Sequence, residues 1–302
     1  MTAVITFEEQ RPRLFGLAYR MLGSAQDAED AVQDAWLRWA GAVHAQIESP
    51  AAWLTTALTR LCLTRLTSAR ARRETYVGPW LPEPILTTDP AVGPAESAAQ
   101  RESVSVALLV TLERLTPVER AVYVLREAFG YSHAEVAAIL EVTEANSRQL
   151  HTRARRHVAA EPPAPVETDA AAWGALVQRF LGAAREGDIQ ELETLLAADA
   201  AAWSDGGGKV SAARRPVHGR SEVARFLAGI LGRFASDVTG TVAEVNGSPA
   251  VLGRRAGVVM SVVVVERTGE QVTGLRFVMN PEKLEFLDRQ LSRFGEPSGH
   301  TS

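Results

Sequence analysis

The sequence predicts a multidomain chain in which two all-α blocks precede one α+β block. Three observations predict it. Two proline-rich stretches, Val77–Pro94 and Glu161–Asp169, divide the 302 residues; proline removes a backbone donor and biases the residue before it against helix. Upstream, apolar residues recur at helical spacing. Downstream, β-branched runs take over. The expected units are residues 1–76, 104–159 and 170–295, joined by linkers at 77–103 and 160–169 and followed by a tail at 296–302.

In the first block, Leu14, Leu17, Ala18, Met21 and Leu22 mark a helix over Phe7–Leu22. Gly23 ends it, and Ser24 caps a second helix, Ala25–Ala40, with acids in its early turns where the helix dipole favours them. Ser49-Pro50, a cap followed by proline at the first helical position, opens a third helix running from Ala51 to about Ala71.

The second block repeats these signals. Thr116-Pro117 precedes a helix over Val118–Phe129, and Ser132 with Glu135 forms a capping box before His133–Leu140. After the tight turn Glu141-Val142-Thr143, a basic helix covers Glu144–Val158. Two helices joined this way, the second basic, fit a helix-turn-helix.

In the third block, helices are expected at Trp173–Arg185, Ile189–Ala198 and Ser221–Phe234. Antiparallel strands are expected at Thr239–Val245, Val258–Glu266 and Val272–Met279. A further strand, Ala201–Ser204, leads into a glycine hairpin.

Composition narrows the chemistry. With 46% hydrophobic and 23% charged residues, the chain has the balance of an ordinary globular protein. Its single cysteine, Cys62, rules out an internal disulfide and a Cys-x-x-Cys zinc site, and the six histidines lack ligand spacing. No metal or cofactor is expected, and the balance suits a reducing cytoplasm. The N-terminus lacks a basic segment followed by an apolar run, so no signal peptide is expected. The most apolar run, Val258–Val265, is eight residues long, against about 20 for a membrane helix. The net charge of −4 is segregated by segment: acids crowd Asp27–Asp34, arginines crowd Asn146–Val158. Such segregation points to separate surfaces for different partners.

The basic helix carries the nucleic-acid signal. Glu144, Asn146, Ser147, Arg148 and Gln149 at its start are suited to base edges, and Arg153, Arg155 and Arg156 further along are suited to phosphates. In the acidic helix, Asp27, Asp30 and Asp34 share one face with Gln33 beside it. Such a face can pair with an arginine-rich partner.

These segments carry a family resemblance. Leu125-Arg126-Glu127, Gly130–Ala137 and Arg153-Ala154-Arg155 resemble the region of sigma factors that reads the minus-thirty-five promoter element. Asp27–Asp34 resembles the segment that clamps the β′ coiled coil of RNA polymerase, and Ser49–Leu54 onward resembles the helix that melts and reads the minus-ten element. The resemblance spans about residues 5–158 and identifies a member of the extracytoplasmic-function sigma factors. It implies core RNA polymerase (β′ coiled coil and β flap) and promoter DNA as partners. It assigns the polymerase to Asp27, Glu29, Asp30, Gln33 and Asp34, and minus-ten DNA to Trp53, Arg60, Arg65, Arg70, Arg72 and Arg73. Thr59-Arg60, Thr64 and Leu150 depart from the family's usual residues.

Tyr76–Pro84, Asp205–Lys209 and Asn280–Leu284 resemble three signatures of the SigJ-like group, whose members carry a fused C-terminal SnoaL-like (NTF2-like) cone. The resemblance implies regulatory contacts through Trp80, Pro82, Asp205, Gly206, Gly207, Gly208, Lys209, Asn280, Pro281, Lys283 and Leu284, at the rim of the third block and facing the linker and first block. Such a cone leaves room for a small ligand of unknown identity. A phosphate-binding loop at Gly206–Lys209 is rejected, because Val210 stands where serine or threonine is needed. No enzyme activity is expected. Two other readings compete with a cis-regulated sigma factor: a ligand-sensing helix-turn-helix regulator, and a SnoaL-like enzyme with an appended DNA-binding half.

Overall fold

The computed structural model describes residues 2–92, 102–160, 170–234, 238–294 and 300–301. The chain forms two compact units. One joins Met1–Thr75 to Thr87–Pro163; the other joins Tyr76–Leu86 to Ala164–Ser302. The expected division into three blocks is corrected on two points. The two helical blocks make one unit, and residues 76–86 belong to the C-terminal unit rather than to a free linker.

In the helical unit, α1 (Thr2–Leu22), α2 (Ala25–Ala40) and α3 (Pro50–Glu74) pack together. The Ser24 hydroxyl accepts the Asp27 amide at 3.0 Å, as the sequence predicts for a cap. The inner stripe of α2 is mostly alanine, with Val32 and Trp39. Phe7 covers Trp36 with ring centroids 5.1 Å apart.

The second half of this unit contains α4 (Val106–Leu112), α5 (Pro117–Tyr123) continuing through a π-turn (Val124–Ala128), α6 (His133–Leu140) and α7 (Glu144–Ala160). Capping boxes form at Thr116 with Glu119 and at Ser132 with Glu135. The sequence reading missed α4: Val-Ala-Leu-Leu-Val-Thr-Leu has no polar side because nearly all of it is buried. Two buried arginines tie the halves. Arg20 donates to Ser103 Oγ at 2.8 Å and lies over the Phe129 ring. Arg120 reaches the Met21 carbonyl at 2.9 Å and Glu113 at 2.7 Å. Burial lowers their pKa values, to about 10 for Arg20 and about 9 for Arg120, which leaves both charged at neutral pH.

The C-terminal unit is α+β. Helices α8 (Ala170–Glu186), α9 (Ile189–Leu195) and α10 (Arg220–Phe234) supply its helical layer. The strands are β1 (Leu196–Asp205), β2 (Val217–His218), β3 (Thr239–Val245), β4 (Ser248–Arg255), β5 (Val258–Thr268), β6 (Gln271–Val278) and β7 (His300–Thr301). They form one sheet in the order β2-β1-β6-β5-β4-β3-β7. All neighbours are antiparallel except β1 and β6, which run parallel, a departure from the all-antiparallel expectation. Trp173, Phe180, Leu192, Val223, Leu227, Leu275 and Phe277 belong to the core between helices and sheet. Helix α11 (Pro281–Phe294) packs against β5.

The sequence reading left β2, β4, β7 and α11 unassigned. Pro249 and Gly253 disguise β4 as a turn, and Pro281 hides the start of α11. Asn280 caps that helix: its Oδ1 accepts the Glu282 amide at 3.2 Å.

Cys62 lies on α3 with no exposed surface, and burial pushes its thiol up to about 12. Thiolate is the reactive species. At pH 8, iodoacetamide should therefore leave the native chain unmodified and label Cys62 only as urea unfolds the helical unit. The check is mass spectrometry of quenched samples along a urea series; labelling in the absence of urea at the rate of a free thiol contradicts this burial.

Candidate functional site

The surface expected from the sequence to meet DNA lies on α7. Thr143 caps it, accepting the Asn146 amide at 3.1 Å. Glu141 takes the left-handed conformation (φ 56°) in the turn between α6 and α7. Ser147, Leu150, Ala154 and Val158 form the buried stripe of α7. Leu150, a departure from the family pattern, thus holds a packed position. Glu144, Arg148, Gln149, Arg153, Arg155 and Arg156 are exposed, and Asn146 is half-buried.

Ser147 is corrected: it is 0% exposed and its hydroxyl lies 3.1 Å from His133 Nδ1. It fixes α7 against α6 and does not join the open face. Arg148 pairs with Glu144 one turn back, and Arg153 lies 3.5 Å from Glu119.

The acidic face of α2 is where the sequence puts it. Asp30 and Gln33 are exposed, and Asp27, Glu29 and Asp34 are half-buried. Arg65, assigned from sequence to minus-ten DNA, instead meets this face, 2.7 Å from Asp34 and 4.0 Å from Asp30. Arg60 is 2.7 Å from Glu141 at the helix-turn-helix turn. Trp53 is half-buried beside Trp39, ring centroids 5.6 Å apart. The side chains of Arg70, Arg72 and Arg73 lie outside the described residues. Exposed pairs such as Arg60–Glu141 contribute little, about 0–1 kcal/mol, so DNA or a partner can displace them.

The other candidate residues converge on Asp205, at the end of β1. Their expected place at a domain rim is corrected: Asp205, Asn280 and Lys283 are 0%, 3% and 6% exposed. A buried carboxylate is tolerated only when it is paired and hydrogen-bonded. Asp205 Oδ1 accepts the Tyr76 hydroxyl at 2.6 Å. Its Oδ2 accepts the Leu81 amide at 2.8 Å and Lys283 Nζ at 2.7 Å. Lys283 Nζ also donates to the Leu81 carbonyl at 2.5 Å and sits over the Trp80 and Tyr76 rings, 4.2 and 4.8 Å from their centroids. Aromatic faces stabilise a desolvated cation. Asn280 Nδ2 donates to the Tyr76 hydroxyl at 2.9 Å.

The glycines are explained by the same crowding. At Gly207 (φ 59°), a Cβ would stand 2.6 Å from Asn280 Cγ; at Gly206 it would stand 2.7 Å from the Val210 carbonyl oxygen. Lys209, by contrast, is exposed and pairs with Glu282 at 2.5 Å. Pro281 is exposed at the start of α11, Leu284 is buried, Pro82 is buried and Trp80 is half-buried. Sequence reasoning missed Leu81, Ile85 and Leu86, which are 1%, 1% and 4% exposed. Their apolar side chains among the prolines were the available signal.

Residues 6–72 match the family described as Sigma-70 region 2, and residues 105–158 match Sigma-70, region 4. The ECF RNA polymerase sigma factor SigJ of Mycobacterium tuberculosis (strain ATCC 25618 / H37Rv) is 39% identical over 290 residues, covering 93% of this chain and 92% of the relative. The probable ECF RNA polymerase sigma factor SigI of the same species (strain CDC 1551 / Oshkosh) is 30% identical over 284 residues, covering 93% and 94%. The crystal structure of M. tuberculosis SigJ superposes with a TM-score of 0.73 at 36% identity, over 94% of this chain and 98% of that one.

Removing one partner of a buried ion pair leaves the other charge uncompensated, at about 3–5 kcal/mol. Lys283→Met should therefore destabilise the C-terminal unit by about that much, and adding Asp205→Asn should recover part of the loss. Urea unfolding followed by tryptophan fluorescence checks both; a double variant no better than Lys283→Met refutes the pairing.

Tyr76 supplies a pH signature. Burial first, then its hydrogen bond to Asp205 and the Asp205 charge, raise its pKa above the usual tyrosine value. The protonated form is the one folding favours. Its contribution is complete below the ordinary tyrosine pKa, about 10, and is lost as pH rises through the raised folded value. Stability should thus fall more steeply above pH 10 in the native chain than in Tyr76→Phe, as measured by thermal melts across that range.

Proposed function

Because this chain belongs to the ECF RNA polymerase sigma factors, a family that binds core RNA polymerase and promoter DNA, we propose which of its surfaces perform promoter-directed initiation and which restrain it. The observation that carries the reading is the division of α7 into a buried stripe and an open face on which Asn146, Arg148 and Gln149 precede Arg153, Arg155 and Arg156. Polar side chains at the start of a recognition helix read base edges in the major groove, and cations farther along hold phosphates. The minus-ten role falls to α3, with Trp53, Arg60 and the arginines near its C-terminal end.

The acidic face of α2 is the polymerase contact, toward the β′ coiled coil, with the helix-turn-helix domain on the β flap. Arg65 holds Asp34 and Asp30 in place until a polymerase arginine takes over, so Arg65 acts as a positioning residue for that face. The polymerase supplies the chemistry of transcription.

The C-terminal unit regulates in cis by holding residues 76–86, the segment between the two promoter-reading halves. Catalysis at Asp205 is disfavoured on physical grounds: the residue is 0% exposed and three internal donors, from Tyr76, Leu81 and Lys283, already occupy most of its acceptor sites, which leaves a substrate proton no open approach. Asp205 is therefore assigned a structural role.

Asp30→Arg together with Asp34→Arg should abolish association with core polymerase while leaving the fold intact, as measured by titration against labelled core enzyme and by circular dichroism. Native affinity in a folded double variant refutes the assignment of α2.

Arg148→Ala should alter preference at the upstream promoter element by about 1–3 kcal/mol. Arg155→Ala should weaken all sequences alike and reduce the salt slope by about one unit. Filter binding across promoter variants and salt concentrations separates the two outcomes; equal weakening of every promoter by Arg148→Ala means that the wrong face of α7 has been assigned to the bases.

A further inference from the structure

The contacts of residues 76–86 do not stop at Asp205 and Lys283. Downstream of Pro82 and Pro84, two polar side chains outside the three signatures meet the backbone of the segment. Asn246 Oδ1 accepts the Ile85 amide at 3.2 Å, and the Asn246 amide donates back to the Ile85 carbonyl at 3.0 Å. Gln290 Oε1 accepts the Leu86 amide at 2.8 Å. Leu86 also forms an antiparallel bridge with Val245 at the end of β3. Asn246 and Gln290 are 0% and 2% exposed, so neither is a surface side chain that happens to lie nearby.

Asn246 holds φ 53°, a left-handed conformation at the β3–β4 turn that asparagine tolerates better than most residues. That conformation points its amide and carboxamide at the same residue of the segment. The segment has a matching pattern. The amides of Leu81, Ile85 and Leu86 each reach a side-chain acceptor, from Asp205, Asn246 and Gln290. The buried positions 82 and 84 are prolines, which carry no amide to satisfy. Leu81, Ile85 and Leu86 supply the apolar burial between them.

We infer that the seat of residues 76–86 on the C-terminal unit extends beyond Asp205 and Lys283 to a second receptor site, and that Asn246 and Gln290 are the positioning residues that read the segment's backbone there, at Ile85 and Leu86. The site rests on the cis-regulatory reading above and extends it. The charged lock at Tyr76–Leu81 and the backbone-reading site at Ile85–Leu86 are two anchors separated by the two prolines. The second anchor recognises main chain and shape, so it tolerates side-chain changes that keep apolar bulk and proline spacing.

The test is hydrogen–deuterium exchange of the full chain, comparing the parent with Asn246→Gly combined with Gln290→Leu. Glycine keeps the left-handed backbone and its amide while deleting the carboxamide acceptor. Loss of two backbone hydrogen bonds should speed exchange of a peptide spanning residues 81–87 by about tenfold, with β5 and β6 unchanged. Gln290→Glu, which retains an acceptor oxygen, should keep the parent's protection at Leu86. Unchanged exchange at residues 81–87 in the double variant overturns the inference. So does a rise spread equally over β5 and β6, which makes the two residues general supports of the fold. Run-off transcription on the same variants separates this inference from the reading beneath it. Faster local exchange with unaltered transcription keeps the receptor site and removes its regulatory role, whereas faster exchange with altered transcription supports both.

Discussion

A carboxylate with no exposed surface is tolerable only if each oxygen is met by a donor, and Asp205 meets that condition by drawing donors from two distant stretches of chain. Tyr76 and Leu81 come from the segment before Thr87, Lys283 from the first turn of α11, and Asp205 itself from the end of β1. Its backbone carbonyl is engaged as well, accepting the amides of Met279 and Asn280 at 2.8 and 2.9 Å. The geometry is mutual. Asn280 caps α11 with one end of its carboxamide and holds the Tyr76 hydroxyl with the other, so the start of the helix and the seating of the segment are set by one side chain. The glycines after Asp205 follow from this: the backbone must pass where Asn280 and Val210 leave no space for a Cβ.

The helical unit uses a different device. Arg20 and Arg120 are buried cations that satisfy carbonyl, hydroxyl and carboxylate groups from both halves of the unit. Arg13 adds a polar seam, reaching Thr55 at 3.1 Å and Tyr131 at 2.5 Å. Apolar packing alone is indifferent to small slides, but directional donors at fixed carbonyls are not. Helices α3 and α7 are thereby held in one arrangement within the unit, with exposed pairs such as Arg60–Glu141 as its weakest links.

Much of this was legible in the sequence where local chemistry decides structure. Ser24, Thr116, Ser132 and Thr143 cap the helices that their positions predict, because a side-chain oxygen beside orphan amides is a short-range matter. The open face of α7 followed from periodicity, but the burial of Ser147 did not: His133 lies fourteen residues upstream and reaches it only through the fold. The same limit explains the misplacement of Asp205 and Lys283. Charged residues among glycines and prolines read as a solvated rim until the segment that neutralises them is known. Arg65 is ambiguous for a related reason, since a cation on α3 serves DNA or the acids of α2 depending on a helix contact that spacing does not encode.

The position of the docked segment along the chain has a topological consequence. Residues 76–86 and residues 164–302 belong to one compact unit, so the intervening chain, Thr87–Pro163, leaves that unit and must return to it. The seated segment therefore closes a loop that contains the entire helix-turn-helix, and closure costs conformational entropy that grows with the logarithm of loop length. Because that loop is itself packed with residues 1–75 in the helical unit, the chain passes between the two units three times, after Thr75, after Leu86 and after Pro163.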